Sequence, residues 1–318
     1  MTGATGFVGK ELVQRLLVTN GFPQIAVAVR SAGDRQWPAN ILPLVTGDLL
    51  PSSDWSDALE GISVVVHCAA RVHVMTDKAA IPLDEFRRVN VRGTLNLARQ
   101  AATLGVQRFV FISSIKVNGE STKLGLPFYA DNIPAPLDPY GISKMEAERE
   151  LRELSAKTGM EVVIIRPPLV YGQGVKANFR AMMHWLKRGI PLPLGAIHNQ
   201  RSLVALDNLV DLIVTCLTHP AAANQTFLVS DGEDLSTTQL LRRMGAALGK
   251  PARLIPVPVS VLKLGAALLG KPEFAQRLCE SLQVDMSKTR ELLGWTPPFA
   301  VDAGLEKAAK EYSRETAV

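Results

Sequence analysis

The chain has 318 residues, of which 47% are hydrophobic and 20% charged, so it carries enough apolar material for a sizeable core and is not a disordered segment. Its 35 basic and 30 acidic residues leave a net charge of +5 spread along the whole sequence. That spread lacks the clustered basic stripe of a nucleic-acid binder and suits an anionic small-molecule partner. Cys68, Cys216 and Cys279 stand far apart without metal-ligand spacing and read as buried thiols of a reducing, cytoplasmic compartment.

The chain opens MTGATGFVGKELVQRLL, in which Gly3, Gly6 and Gly9 run directly into a helical apolar pattern. A turn of this kind lets backbone N–H groups reach a pyrophosphate, with the start of the following helix adding favourable partial charge. Gly3, Gly6, Phe7, Val8 and Gly9 are therefore candidate cofactor contacts. Such a turn normally follows a strand, yet only Met1 and Thr2 stand ahead of it, and no secretory leader pattern opens the chain. In the strand order 3-2-1-4-5-6 that strand is central. The reading therefore expects either about six further residues ahead of Met1 or another segment in the gap.

Continuous apolar runs follow at 24–30, 41–48, 63–70, 108–114 and 161–167, read as strands buried on both faces and separated by helical stretches, notably 82–104 and 139–157. This alternation predicts an α/β fold with a doubly wound parallel sheet of Rossmann type. Arg30 ends the first run about 20 residues after the glycine turn, where dinucleotide folds recognise the adenosine ribose. A guanidinium there favours the 2′-phosphate of NADP; a surface arginine with NAD bound is the alternative, and Arg35 is read as able to assist in either case.

From about Pro167 prolines and glycines become frequent and helices dominate, with short strand-like runs at 202–206, 226–230 and 253–257. The chain is read as a dinucleotide-binding domain over 1–170 and a smaller, mainly helical substrate lobe over 171–318, with segments around 201–230 returning to the main sheet. The apolar stretch 256–270 is too short to span a bilayer and contains Lys263, so it reads as a core or interface helix without stable membrane insertion; peripheral membrane contact is the alternative.

In YGISK, Tyr140 and Lys144 stand four residues apart on one helical face, a spacing from which the ammonium can draw the phenol pKa down from about 10. Ser114 ends the buried run FVFISS at the sheet edge where active sites of open α/β folds collect. TGATGFVG, GDL (47–49), HCAA (67–70), NVRGTLNL (90–97), FVFISSIKVNG (109–119), YGISK (140–144), RPPLVYG (166–172), RSLVALDNL (201–209) and QVDMSKTRELLGW (283–295) follow in order. Together they resemble the extended short-chain dehydrogenase/reductase family, in its nucleotide-sugar epimerase, dehydratase and reductase branch.

The resemblance implies that Ser114 hydrogen-bonds the reacting sugar oxygen, Tyr140 moves its proton, and Lys144 binds the nicotinamide ribose. It also implies Asp48 and Leu49 beside the adenine, and Ala69 and Ala70 beside the nicotinamide ribose. Asn90 and Pro167 belong to the cofactor side, Asn90 with a purely structural role as its alternative. Lys116, Asn178, Arg201 and Arg277 are placed at the substrate end, Arg201 on the diphosphate; surface salt bridges are the alternative for the two arginines.

Ile115 and Lys116 occupy the positions where sugar dehydratases of this kind carry an Asp-Glu pair, which argues against dehydration. Leu169 and Asn118 depart from the pattern of galactose-type epimerases. The resulting expectation is an NADP-preferring reductase of a nucleotide-linked 4-keto sugar for surface polysaccharide, with NAD as the other cofactor. A UDP-sugar 4-epimerase, reduction of a non-nucleotide ketone or aldehyde, and a non-catalytic cofactor sensor are the alternatives. The resemblance also suggests a homodimer through 82–104 and 139–157.

Overall fold

Each of the five apolar runs becomes a parallel strand. A computed structural model describes residues 1–316 apart from Asn20, Pro23, Ala32, Asp34, Arg35, 73–81 and Lys176, so Arg35 lies outside the described residues. The main sheet holds β1 (Ile25–Val29), β2 (Ile41–Val45), β3 (Val64–His67), β4 (Arg108–Ile112) and β5 (Glu161–Arg166). Strands β3, β4 and β5 are buried almost throughout, as their continuous apolar sequences require. β2 departs from that expectation. It pairs with β1 at the sheet edge and leaves Leu42 and Val45 exposed.

The position between β1 and β3 is taken by Met1 and Thr2. Thr2 bridges Ala28 and His67 in parallel; its N–H donates to the Val66 carbonyl at 3.0 Å, and the Met1 carbonyl accepts from the Ala28 N–H at 2.8 Å. These bonds satisfy the sheet beside the glycine turn and set the turn's height over the strand ends.

Helices α1 (Phe7–Val18), α2 (Ser56–Leu59), α3 (Pro82–Phe86), α4 (Thr94–Thr103) and α5 (Pro139–Thr158) connect the strands. The expected continuous helix over 82–104 is instead broken by a π-helical stretch, Arg87–Gly93. Such bulges widen one turn and often lie at functional sites. Here Gly93 packs on the Leu49 backbone so closely that a Cβ would lie 2.7 Å from the Leu49 carbonyl oxygen.

The chain continues through β6 (Leu169–Tyr171), α6 (Ala177–Lys187), β7 (Arg201–Ala205), α7 (Leu206–Thr218), β8 (Thr226–Leu228) and β9 (Asp234–Leu235). It ends with α8 (Thr237–Ala247), α9 (Val259–Leu268), α10 (Pro272–Cys279), α11 (Ser287–Leu293) and α12 (Val301–Glu315). β8 pairs with β5 in the main sheet, whereas β7 lies between β6 and β9 in a second, three-stranded sheet. The main sheet is covered on both sides: Leu12, Leu16, Leu209 and Ile213 of α1 and α7 pack in one apolar core, and Leu95, Ala98, Ala147 and Leu151 of α4 and α5 in another. A third core joins α6, α8 and α12 to the second sheet.

Three further expectations are corrected. Residues 253–257 form no strand: Leu254 makes one isolated bridge to Leu192, and Pro251, Pro256 and Pro258 lack the N–H a ladder needs. α9 is no core helix, since none of its residues is buried. Of the cysteines Cys216 is buried, while Cys68 and Cys279 are only half-buried.

Candidate active site

The glycine turn is shaped by close backbone approach. Gly3 adopts φ +71°, and a Cβ there would lie 2.7 Å from the Ala69 nitrogen; a Cβ at Gly9 would lie 2.0 Å from the Gly3 carbonyl oxygen. The Gly6 N–H donates to the Gly3 carbonyl at 2.9 Å, and α1 begins with its first backbone bond at Lys10. No side chain caps α1 and its first turn carries no acid, so the N–H groups of Phe7, Val8 and Gly9 remain aimed at the loop mouth. This donor set, with the positive end of a helix dipole and no competing carboxylate, fits the pyrophosphate of a dinucleotide.

The other expected cofactor residues border this turn or the adjoining strand ends. Arg30 is exposed immediately after β1. Asp48 is exposed and Leu49 half-buried after β2, where the Asp48 carbonyl accepts from the Leu50 N–H and the Ser53 hydroxyl. Ala69 and Ala70 follow β3, with the Ala69 N–H directed to Thr2 Oγ1 at 3.3 Å.

Asn90, 1% exposed, accepts from the Arg71 N–H at 2.7 Å and donates to the Arg71 carbonyl at 3.0 Å and to Ser143 Oγ at 3.1 Å. It thereby fastens the 69–71 loop to the helix that carries Lys144. Between them His67 sits fully buried, bonded to the hydroxyls of Thr2 and Thr94; burial first, then Lys144, lowers its pKa to about 3 and keeps it neutral.

α5 is positioned by its own start signals. Asp138 Oδ1 caps the Gly141 N–H at 2.6 Å and Pro139 opens the helix, which puts Tyr140 in its first turn. Gly141 lets this end pack against the loop after β4: a Cβ there would lie 2.9 Å from the Lys116 carbonyl oxygen. Ser114 begins that loop, its hydroxyl accepting from the Lys116 N–H at 3.3 Å. Pro167 holds the loop from the other side by accepting the Ile115 N–H at 3.0 Å.

Lys144 is 2% exposed and donates to the Ile112 carbonyl at 2.8 Å, its Nζ 4.3 Å from the Phe111 ring centroid and 6.0 Å from that of Tyr140. Burial lowers its pKa to about 8 against the opposing pull of Glu148. The Tyr140 ring meets Phe86 edge-on at 6.1 Å. Contrary to the helical-spacing argument, the Tyr140 phenol is raised above its usual value, by its desolvation first and then by the nearby Asp138. Spacing measures proximity and is blind to burial.

At the opposite end the expected substrate residues divide. The Lys116 ammonium is paired with both Glu120 and Asp138, so it latches the loop to the α5 cap. Arg201 Nη1 donates to the carbonyls of Arg277 and Glu280 at 2.9 and 3.1 Å, tying β7 to the end of α10. Burial lowers its pKa, with Glu280 opposing. Asn178 on α6 and Arg277 on α10 border one cavity of about 520 Å³. Arg277 faces Glu273 across 3.8 Å.

A buried ion pair beneath Lys144, Glu148 with Arg166, was missed in the sequence. Glu148 is one helical turn beyond Lys144, and Arg166 is a charge ending the buried apolar run VVII of β5; together those two features were the available signal.

The model of the NAD-dependent epimerase/dehydratase family matches residues 1–230. The chain belongs to that family. A UDP-glucose 4-epimerase of Vibrio cholerae is 51% identical over 98% of this chain and 94% of its own. A 4-epimerase of Escherichia coli O157:H7, named for N-acetyl-alpha-D-glucosaminyl-diphospho-ditrans,octacis-undecaprenol, is 27% identical over 96% of this chain and 92% of its own. Among solved structures, the UDP-glucuronic acid 4-epimerase of Bacillus cereus in complex with NAD superposes with a TM-score of 0.78 at 20% identity. It covers 98% of this chain and 97% of its own, and establishes the family fold.

These relatives lend no support to the expected preference for reductase over epimerase. Of the two departures behind that preference, Leu169 lies exposed on β6, and Asn118 accepts from Arg166 and donates to the Tyr129 carbonyl, bracing the wall behind the strand ends. Among the described residues no helix is long and apolar enough to cross a membrane.

Proposed function

We propose that the protein is a 4-epimerase of a hexose carried on a diphosphate, using NAD by oxidising and re-reducing the same carbon. The observation that carries this reading is the 51% identity to a UDP-glucose 4-epimerase along nearly the whole chain. The E. coli relative is likewise named a 4-epimerase of a sugar on a diphosphate, differing in the sugar's N-acetyl group and in the group beyond the diphosphate.

In this reading Gly3, Gly6, Phe7, Val8 and Gly9 bind the pyrophosphate, with Asp48 and Leu49 at the adenine end and Ala69, Ala70 and Pro167 along the nicotinamide half. Asn90 positions the 69–71 loop. When bound, NAD supplies a reversible hydride acceptor and a positively charged ring. Tyr140 accepts the proton of the C4 hydroxyl and returns it, the α5 N-terminus and the Lys144 ammonium acting against the burial and the Asp138 charge that raise its phenol. Ser114 orients that oxygen by hydrogen bonding. Lys144 holds the cofactor ribose, and Arg201 and Arg277 face the diphosphate.

Arg30 supports a second reading, an NADPH-dependent reductase of a 4-keto sugar. The test is incubation of purified protein with UDP-glucose or UDP-N-acetylglucosamine without reductant, read by NMR. Conversion to the galacto isomer supports the epimerase. Stoichiometric NADPH consumption with a nucleotide 4-keto sugar, and no isomer, establishes the reductase instead.

A further inference from the structure

The carrier of the sugar can be read from the cavity between α6, α9 and α10. Its wall is made of Met182, Trp185, Leu192, Leu262, Leu269 and Leu278, and its volume of about 520 Å³ is that of a small-molecule site. Polar and charged side chains border it at Asn178, Lys271 and Arg277.

The backbone that passes the cavity is largely engaged already. The N–H groups of Leu192 and Gly195 donate to the carbonyls of Arg253 and Ile255, and Pro193 has none to give. The Leu192 carbonyl accepts from the Ile255 N–H, and the Leu194 carbonyl accepts from Thr238 Oγ1 at 2.6 Å. A nucleobase placed here would bury a polar edge against groups that are spent, which is costly. A hydrocarbon chain would lose nothing.

The surroundings lead the same way. α9 turns Leu262, Gly265 and Ala266 to the cavity and leaves Leu264 63%, Leu268 81% and the following Leu269 77% exposed. Its only charge is Lys263. The cavity therefore opens beside an apolar surface with Lys271 at its edge and with Lys263 close by, the latter paired with Glu280 across 3.6 Å; apolar groups beside cations are what anionic lipid surfaces attract. On its inner side α10 carries Arg277 in its last turn and passes into residues 280–284. That segment runs between Arg201, which bridges Leu282, and the loop after Ser114, where Ser281 pairs with Thr122 and Val284 with Phe128. An apolar chamber, cationic groups and the reacting residues thus follow one another along the fold, as lipid, diphosphate and sugar do along such a substrate. Among the described residues Arg277 pairs with the solvent-exposed Glu273, a weak competitor for a diphosphate.

We propose that the cavity binds the first units of a polyisoprenoid chain, so that the substrate is a sugar on a lipid diphosphate and not on a nucleoside diphosphate. This rests on the diphosphate-linked sugar reading above, and the test separates the two. The NAD-loaded protein is given N-acetylglucosamine on a short polyprenyl diphosphate and, separately, UDP-N-acetylglucosamine, with epimer formation followed by NMR. Calorimetry compares farnesyl diphosphate with UDP as sugar-free probes.

We expect kcat/KM for the lipid-linked sugar, and affinity for farnesyl diphosphate, to exceed those of the uridine compounds by about tenfold or more, and Leu262→Glu to lose about tenfold of the farnesyl diphosphate affinity. Equal or better use of the UDP-sugar overturns the lipid carrier and leaves the epimerase reading standing. If neither sugar is epimerised, the epimerase reading fails. The calorimetric order then decides the cavity's occupant by itself, with UDP binding as tightly as farnesyl diphosphate overturning it.

Discussion

Glu148 and Arg166 form a bidentate ion pair under the candidate active site, Nε to Oε1 at 2.9 Å and Nη2 to Oε2 at 2.6 Å, with side chains 1% and 2% exposed. Ser113 Oγ donates to the same carboxylate at 2.5 Å and Arg152 Nη2 at 3.1 Å, while Arg166 Nη1 reaches Asn118 and the Ala130 carbonyl. The pair joins α5, the end of β4 and the end of β5.

Removing one partner strands the other charge in the interior. Glu148→Ala should cost about 3–5 kcal/mol of stability, whereas the double variant Glu148→Leu, Arg166→Met should be markedly less damaged than the sum of its single changes. Denaturant melts of the four proteins measure this, and additive losses would show that the two charges do not act as a pair.

Lys144 predicts a pH signature. Its pKa is about 8 in the folded chain and about 10.5 when unfolded, so between these values the unfolded state holds the extra proton and stability rises with pH. Below pH 8 the charged ammonium is buried at a cost that Lys144→Met does not bear. The melting temperature of Lys144→Met minus that of the parent should therefore hold level below about pH 8 and fall from there towards pH 10; a difference flat over the whole range would mean that the ammonium is not desolvated.

Tyr140→Phe keeps the ring against Phe86 and removes one oxygen. Folding and NAD affinity should survive while turnover drops by about two orders of magnitude or more. Near-normal turnover would assign the proton to another group.

Arg30→Asp should weaken NADPH binding by about 2 kcal/mol or more and NADH binding far less, through lost pairing and added repulsion with the 2′-phosphate. Fluorescence titration of both cofactors reads the difference. Equal weakening would remove Arg30 from phosphate recognition.

What the sequence disclosed followed from local signals. The glycine turn, the buried parallel strands and the pairing of Tyr140 with Lys144 on one helix each depend on neighbours within a few residues. Arg166 and Glu148 were visible separately, yet nothing local says that residues 18 apart share a carboxylate with Ser113. The apolar run of α9 declared its composition without its direction, since a helix facing a core and one facing outward can share the same residues. The phenol of Tyr140 was misjudged for the same reason: burial is a property of the assembled fold.

The bond from Arg201 to the end of α10 has a consequence for how such a protein diverges. Tyr140 and Lys144 stand on α5, whereas the cavity wall is built from α6, α9 and α10. Substitutions in α9 can remodel the chamber without disturbing α5, because the 280–284 segment and Arg201 stand between the two. A change in what the chamber holds therefore needs no change in the helix that presents Tyr140 and Lys144.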